Sequence, residues 1–144
     1  MVPEAKLSDF GLEKVGNRVA FWQADACNLK PTYKGFDLIF GGNLIDRLYD
    51  PYKFLDSLAE RLNEDGILIL TSPYTWQVES TPKEKWIGGY KKDGENVTTL
   101  DGLKEILDEA FRLIDVKDVP FVIQETARKH QHTIAQMTIW EKRK

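Results

Sequence analysis

Two apolar runs of strand length flank one amphipathic stretch between residues 35 and 73, and few folds accommodate that order. The first run, Phe36, Asp37, Leu38, Ile39 and Phe40, stops on Gly41 and Gly42. Such a pair lets the backbone turn sharply or come close to a ligand. Polar Asn43, Asp46 and Arg47 follow directly. Over residues 51–62, Phe54, Leu55, Leu58 and Leu62 recur at helical spacing with charged residues on the other face, which predicts an amphipathic helix. Residues 63–66 (NEDG) stop it, and GILILTSP then reads as a compact buried strand. Strand, helix, strand in that order is a right-handed crossover, so the two strands are parallel and the class is α/β. In open α/β sheets ligands sit beyond the carboxyl ends of the strands, where the polar tails of both runs fall.

The rest of the chain extends this pattern. Residues 1–17 read as a lead-in ending on a Gly16-Asn17 turn. Residues 18–24, RVAFWQA, are β-branched and aromatic and predict another strand, ending on Asp25, Ala26, Cys27 and Asn28. Residues 74–97 are long, polar and glycine-containing, with Trp76, Trp86 and Tyr90 spread through them. A segment of that kind in one domain is functional or disordered, and three aromatics favour a lid or substrate loop. Its lysines Lys91 and Lys92 suit a carboxylate, or a solvated surface. Thr98 and Thr99 offer an N-cap for a helix carrying Leu100, Leu103, Ile106, Leu107 and Phe111. Residues 121–126 and 133–141, joined by ARKHQH, predict a β-hairpin.

At 144 residues and 42% hydrophobic, the chain buries one core, so a single domain is expected. The formal charge of -3 is spread as mixed signs rather than gathered into a basic stripe, so nucleic acid is not an expected partner. No apolar run is long enough to span a bilayer, and the opening residues MVPEAK lack a signal peptide's pattern, so a membrane is not expected and a cytoplasmic protein is. One cysteine, Cys27, permits no intrachain disulfide and no thiolate zinc cluster.

The words FWQADACNLKP, DLIFGGNLIDRLYDP, LTSPYTW, IGGYKKDGE, VTTLDGL and RKHQHT run in one order from about Phe21 to the C-terminus. Together they resemble the methyltransferase domain fused to sulfoxide synthases in ovothiol biosynthesis, the 4-mercaptohistidine N1-methyltransferase family. The resemblance implies a Rossmann-like class I methyltransferase sheet closed by an antiparallel hairpin. It also implies S-adenosylmethionine as cofactor and 5-thiohistidine, methylated on a ring nitrogen, as small-molecule substrate. One part of the family pattern has no counterpart: no G-x-G-x-x-G-like turn occurs in the sequence. The expectation is therefore a partial domain that begins after its first βαβ unit and is short of the groups that hold the methionine end of the cofactor. The strand at 18–24 would then lack neighbours, which invites rearrangement or a homodimer through the unpaired edge.

The resemblance places Asp25, Ala26 and Cys27 at the adenine, with Asp25 accepting from the exocyclic amine; the residues alone equally suit a turn-capping Asp. Cys27 otherwise reads as a small buried hydrophobe. Asn43, Asp46 and Arg47 can hold acceptor and donor in line for methyl transfer, or cap a turn and form a surface ion pair. Asn43 is grouped with the cofactor, Asp46 with the chemistry, and Arg47 with the substrate. Tyr74 and Trp76 leave the end of the second parallel strand, where ring faces suit a sulfonium or a flat imidazole, with core packing as the alternative. His130 and His132 fall on the hairpin as a general base or orienting pair, a two-ligand metal site, or exposed turn histidines. Metal is the weakest of these because no third ligand is in view, and no metal is expected. Arg128 beside them can meet a substrate carboxylate.

Overall fold

A computed structural model describes residues 4–144. The first three residues of the expected 1–17 lead-in lie outside that range; its remainder holds two short 3-10 turns, Leu7–Phe10 and Glu13–Arg18. The main sheet has four strands: β1 (Phe36–Gly42), β2 (Leu62–Ser72), β5 (Phe111–Thr126) and β6 (Lys129–Lys142), in the order β1-β2-β6-β5. β1 and β2 are parallel, as the crossover requires, and β6 runs antiparallel to both β2 and β5. Two helices, α1 (Pro51–Asp56) and α2 (Thr99–Leu107), complete the main layer, and a small hairpin of β3 (Tyr90–Lys92) and β4 (Glu95–Val97) stands apart. The class is α/β with a mixed sheet, as read from the sequence. Among the described residues no helix is long and apolar enough to cross a membrane.

Alternation along β2 decides which face is covered. Leu68 and Leu70 point to the helices and, with Trp140 and Phe111, are buried against Phe54, Leu55, Leu58, Leu103 and Leu107. The opposite face carries Phe36, Leu38 and Phe40 of β1, exposed at 44%, 53% and 60%, beside half-buried Ile67 and Ile69. The outer edge of β1 pairs with no strand among the described residues.

Gly41 and Gly42 do not turn the chain; both remain in β1, and the turn comes at Asn43 with φ 50. Gly41 answers to packing instead, since a Cβ there would stand 2.8 Å from Leu70 Cδ2 and 3.7 Å from the Phe54 ring. A second close approach fixes α2. The chain at residues 87–88 lies directly on its first turn, where a Cβ on Gly102 would fall 1.7 Å from the Ile87 carbonyl oxygen and one on Gly88 2.3 Å from the Thr99 nitrogen. The Thr98 hydroxyl caps α2 by accepting from the Asp101 N–H at 3.1 Å, as Thr98-Thr99 foretold.

The expected strand over 18–24 is not formed. Residues 19–25 are irregular, and Phe21 and Trp22 are 91% and 72% exposed. β-propensity sets only the tendency; an extended segment with no neighbouring strand has no ladder to satisfy its backbone groups, so water takes them. The helix expected over 51–62 ends at Asp56. The chain then turns through residues 57–61, where the buried Arg61 guanidinium donates to the carbonyls of Lys30 at 2.9 Å, Tyr33 at 3.0 Å and Leu29 at 3.3 Å. Residues 63–66, read as a stop, already belong to β2, with Asp65 at φ 58 breaking its register. Phe111, read as the helix end, opens β5.

β5 and β6 outrun the sheet. β6 pairs with β2 only as far as Gln136, opposite Ser72, whereas it continues against β5 out to the pair Thr126 and Lys129. At ~3.3 Å per residue, residues 129–135 carry a two-stranded arm roughly 20 Å past the rim.

Candidate functional site

The parallel strands β1 and β2 end side by side, with Gly42 opposite Thr71. Each is followed by a residue in the left-handed region, Asn43 at φ 50 and Tyr74 at φ 57. Asn tolerates that conformation; for a bulky aromatic it is strained, and such strain persists where surrounding contacts hold it. Tyr74 is held at both ends. Its N–H donates to Ser72 Oγ at 3.0 Å and its phenol to Gln136 Oε1 at 2.9 Å. Burial, then the nearby Asp46 carboxylate, pushes its pKa well above the ordinary phenol value. Asn43 is pinned across the strand ends, its N–H donating to the Thr71 carbonyl at 2.8 Å.

Asp46 lies in the 3-10 turn Ile45–Arg47 and is 1% exposed. Its Oδ2 accepts from the Thr75 N–H at 2.9 Å, the Thr75 hydroxyl at 3.0 Å and Arg47 Nη1 at 3.3 Å. Arg47 closes the loop by donating to the Thr75 carbonyl at 2.7 Å and the Thr75 hydroxyl at 2.8 Å. These bonds strap the segment after β1 to the segment after β2. Asp46 Oδ1, also buried, has no hydrogen-bond partner among the described residues. A cavity of about 230 Å³ lies between this strap and the arm, bordered by Asn43, Asp46, Arg47 and Thr75 on one side and by Phe121, Ile123, Gln131 and Thr133 on the other.

Tyr74 borders a different, larger cavity of about 540 Å³, formed with Tyr90 and Lys91 of the small hairpin and with Thr98. Trp76 is engaged in packing. Its Nε1 donates to Thr99 Oγ1 at 2.9 Å and its ring stacks on Trp86 with centroids 6.3 Å apart. Ile87, within the segment expected as a lid, is buried in the core, and Lys91 and Lys92 are exposed.

Asp25 caps a 3-10 turn, Ala26–Asn28: Oδ1 accepts from the Cys27 N–H at 2.8 Å, and Oδ2 from the Tyr49 hydroxyl at 2.7 Å. Each carboxylate oxygen keeps a further lone pair. Cys27 is buried, its Sγ donating to the Asp50 carbonyl at 3.3 Å, and Ala26 is half-buried beside it. The hydrogen bond to Asp25 first, then partial burial and the Asp25 charge, push the Tyr49 phenol up to about 12. A raised acid pKa in the folded state means stability fully present below the unfolded value near 10 and lost as pH rises toward 12. We expect the difference in urea midpoint between the native chain and Tyr49→Phe to stay constant from about pH 6 to 9 and to shrink above about pH 10. A difference that grew with alkali would contradict the assignment.

His130 and His132 stand on the arm opposite Gln124 and Val122. Side chains alternate along a strand, so they face away from Phe121, Ile123, Gln131 and Thr133, which line the cavity. Both histidines are exposed, as is Arg128 in the turn, whose N–H donates to Thr126 Oγ1 at 3.2 Å. The structure thus brings together Asn43, Asp46 and Arg47, with Tyr74 on the next strand end, and leaves the histidines on the other side of the arm. Thr75 and Gln131 escaped the sequence reading. Thr75 lies between two aromatics that drew attention, and Gln131 lies between the two histidines, where period-2 alternation alone would have found it.

Neither a protein-family model nor a curated protein matches the chain. Solved structures do. A protein of echinomycin biosynthesis, where a disulfide bond becomes a thioacetal group, aligns with TM-score 0.59 at 14% identity, over 94% of this chain and 59% of its own. A Listeria monocytogenes protein described as an S-adenosylmethionine-dependent methyltransferase aligns with TM-score 0.58 at 11% identity, over 96% and 76%. The N-methyltransferase NodS from Bradyrhizobium japonicum, in complex with S-adenosylhomocysteine, aligns with TM-score 0.51 at 16% identity, over 84% and 53%. The chain spans between 39% and 65% of the length of the first four structures it matches. Its α/β fold with a mixed sheet resembles the Rossmann-like domains of methyltransferases. Shared fold does not by itself specify chemistry, and the [4+2]-cyclase SpnF, at TM-score 0.52, has the same architecture.

Proposed function

We propose that this chain is the acceptor-holding part of an S-adenosylmethionine-dependent methyltransferase that acts on a ring nitrogen of 5-thiohistidine. The observation that carries the reading is the strap of Asp46, Arg47 and Thr75 across the ends of two parallel strands, beneath an arm that walls a small cavity. Ligands of open α/β sheets lie at that end. S-adenosylmethionine, when bound, supplies an activated methyl group, and displacement at that carbon asks the protein chiefly for alignment and exclusion of water.

The chain's own residues serve those tasks unequally. Asp25 keeps lone pairs for an exocyclic amine and fits the adenine end, with Ala26 and Cys27 as backbone neighbours. A glycine-rich turn for the methionine end is absent from this sequence. In our reading Asn43 borders the donor, Asp46 and Arg47 hold the acceptor, and Tyr74, which lines the neighbouring cavity, carries a phenol that stays protonated. Trp76, bonded to Thr99 and stacked on Trp86, serves packing. His130 and His132 reach the acceptor ring as base, and Arg128 its carboxylate, only if the arm turns about its own axis. The ovothiol-type acceptor rests on the sequence resemblance.

Titration calorimetry with S-adenosylhomocysteine, followed by incubation with S-adenosylmethionine and 5-thiohistidine, tests this directly. The expected result is heat at millimolar ligand and a product one methyl group heavier, with the label on ring nitrogen. Absence of both would overturn the proposal. One observation favours a second reading, that of an assembly module: among the described residues β1 has an unpaired edge, with Phe36, Leu38 and Phe40 exposed on the bare face. A sedimentation mass of twice the monomer, lost in Leu38→Lys, is the outcome that reading requires.

A further inference from the structure

We propose that His130 and His132 form a two-imidazole binding site for a divalent transition metal ion on the outer face of the arm. The inference goes beyond the methyltransferase reading and does not depend on it. The sequence ranks a metal lowest at these residues because no third ligand is in view. The register of the arm adds what spacing alone lacked, a fixed geometry. Both histidines lie within β6, opposite Gln124 and Val122, so they stand on one face of a paired strand rather than in a turn. Two strand steps set their Cα atoms about 6.6 Å apart. Nitrogens bound to one ion at about 2.0–2.1 Å stand roughly 3 Å from each other, and two imidazole side chains leaning together close that gap.

Both rings are free to bind. They are exposed, and the side-chain bonds at the tip, Thr126 with Arg128 and Lys129 with Glu125, involve neither of them. The residues opposite the histidines are uncharged, so no cation directly across the strand repels the ion. Among the described residues no cluster of three or more His, Cys, Asp or Glu competes for it. Imidazole nitrogen suits zinc, copper and nickel ions, whereas magnesium and calcium want oxygen. With two protein ligands, water fills the remaining positions, which makes the site exchangeable rather than structural. Gln131 lies between the two ligands and borders the cavity at Asp46. A chelate across residues 130–132 holds that stretch extended, so a bound ion opposes fraying of the arm.

The test titrates zinc chloride into the native chain at a pH where imidazole is neutral, with backbone amide shifts as readout and magnesium chloride as the comparison. The expected result is saturable shifts centred on residues 130–132 with zinc and none with magnesium. His130→Ala and His132→Ala, both at exposed positions, each weaken zinc binding by about ten-fold or more, because a chelate loses its second attachment. Two independent imidazoles would lose no more than about two-fold. Val122→His places a third imidazole opposite His132 and raises affinity by about ten-fold or more. With zinc at ten times its Kd, deuterium exchange at residues 122–124 and 130–132 slows by about five- to ten-fold. A loss of two-fold or less in the single variants, no gain in Val122→His, shifts centred elsewhere, or unchanged exchange would each identify an adventitious ion only and overturn the inference.

Discussion

Gly102→Ala is expected to remove a large share of the fold's stability, although alanine is the better helix former by about 1 kcal/mol. The added methyl would sit 1.7 Å from the Ile87 carbonyl oxygen and 2.8 Å from its carbonyl carbon. Neither is the end of a flexible side chain. Relief requires α2 to lift away from residues 87–88, which uncovers Leu103 and Leu107 and loosens the capped first turn. Overpacking in cores costs about 1–3 kcal/mol where side chains can yield. Against backbone the cost exceeds that range, and a net loss of at least about 3 kcal/mol remains after the gain in propensity, a large share of a total near 5–15 kcal/mol. Urea denaturation followed by far-ultraviolet circular dichroism measures it; a midpoint equal to that of the native chain would show that the two backbones do not touch as described.

Trp140→Ala carries the second large effect. Trp140 is fully buried in β6, between the sheet and the helices, and its Nε1 donates to Thr138 Oγ1 at 2.8 Å, itself buried. Truncation removes the ring, leaves a cavity that a sheet backbone cannot collapse, and strands a buried hydroxyl. Losses of about 3–5 kcal/mol are typical for burying-to-nothing changes of this kind. Trp140→Phe restores most of the volume and forfeits the hydrogen bond, so its loss is expected near 1–2 kcal/mol. The ordering of the two variants by denaturant midpoint is the check, and equal midpoints would place the indole outside the core.

What could be read from the chain and what could not divide along physical lines. The parallel pair was legible because Leu38 to Phe40 and Ile67 to Leu70 are short apolar runs separated by a helical period, and only one handedness joins them. The second helix was legible because Thr98 and Asp101 form its cap. Residues 19–25 misled, since Val19, Phe21 and Trp22 have strand propensity whether or not a neighbouring strand exists. Helix α1 was read too long because the stop is made by Arg61 reaching carbonyls about 30 residues away, a long-range contact that periodicity does not carry. The strap at the rim was half visible. Asn43, Asp46 and Arg47 were singled out by following a strand, but their partner Thr75 follows a different strand, and the pairing appears only when the register sets Gly42 beside Thr71. The histidines show the opposite failure: chemistry drew attention to them, while the pleat turns them outward.

The arm has one further consequence. Over residues 129–135 each strand has a single neighbour, and the tip is tied by the Lys129 to Glu125 ion pair rather than by buried apolar contacts. Its hydrogen bonds can break without disturbing Trp140 or the helices, so its amides should trade hydrogen for deuterium well before those of β2. The same arm borders the cavity at Asp46, so this local fraying reshapes one wall of the cavity without disturbing the core. One hairpin is thus both part of the sheet and a wall of the site, hinged where β2 stops at Ser72, opposite Gln136.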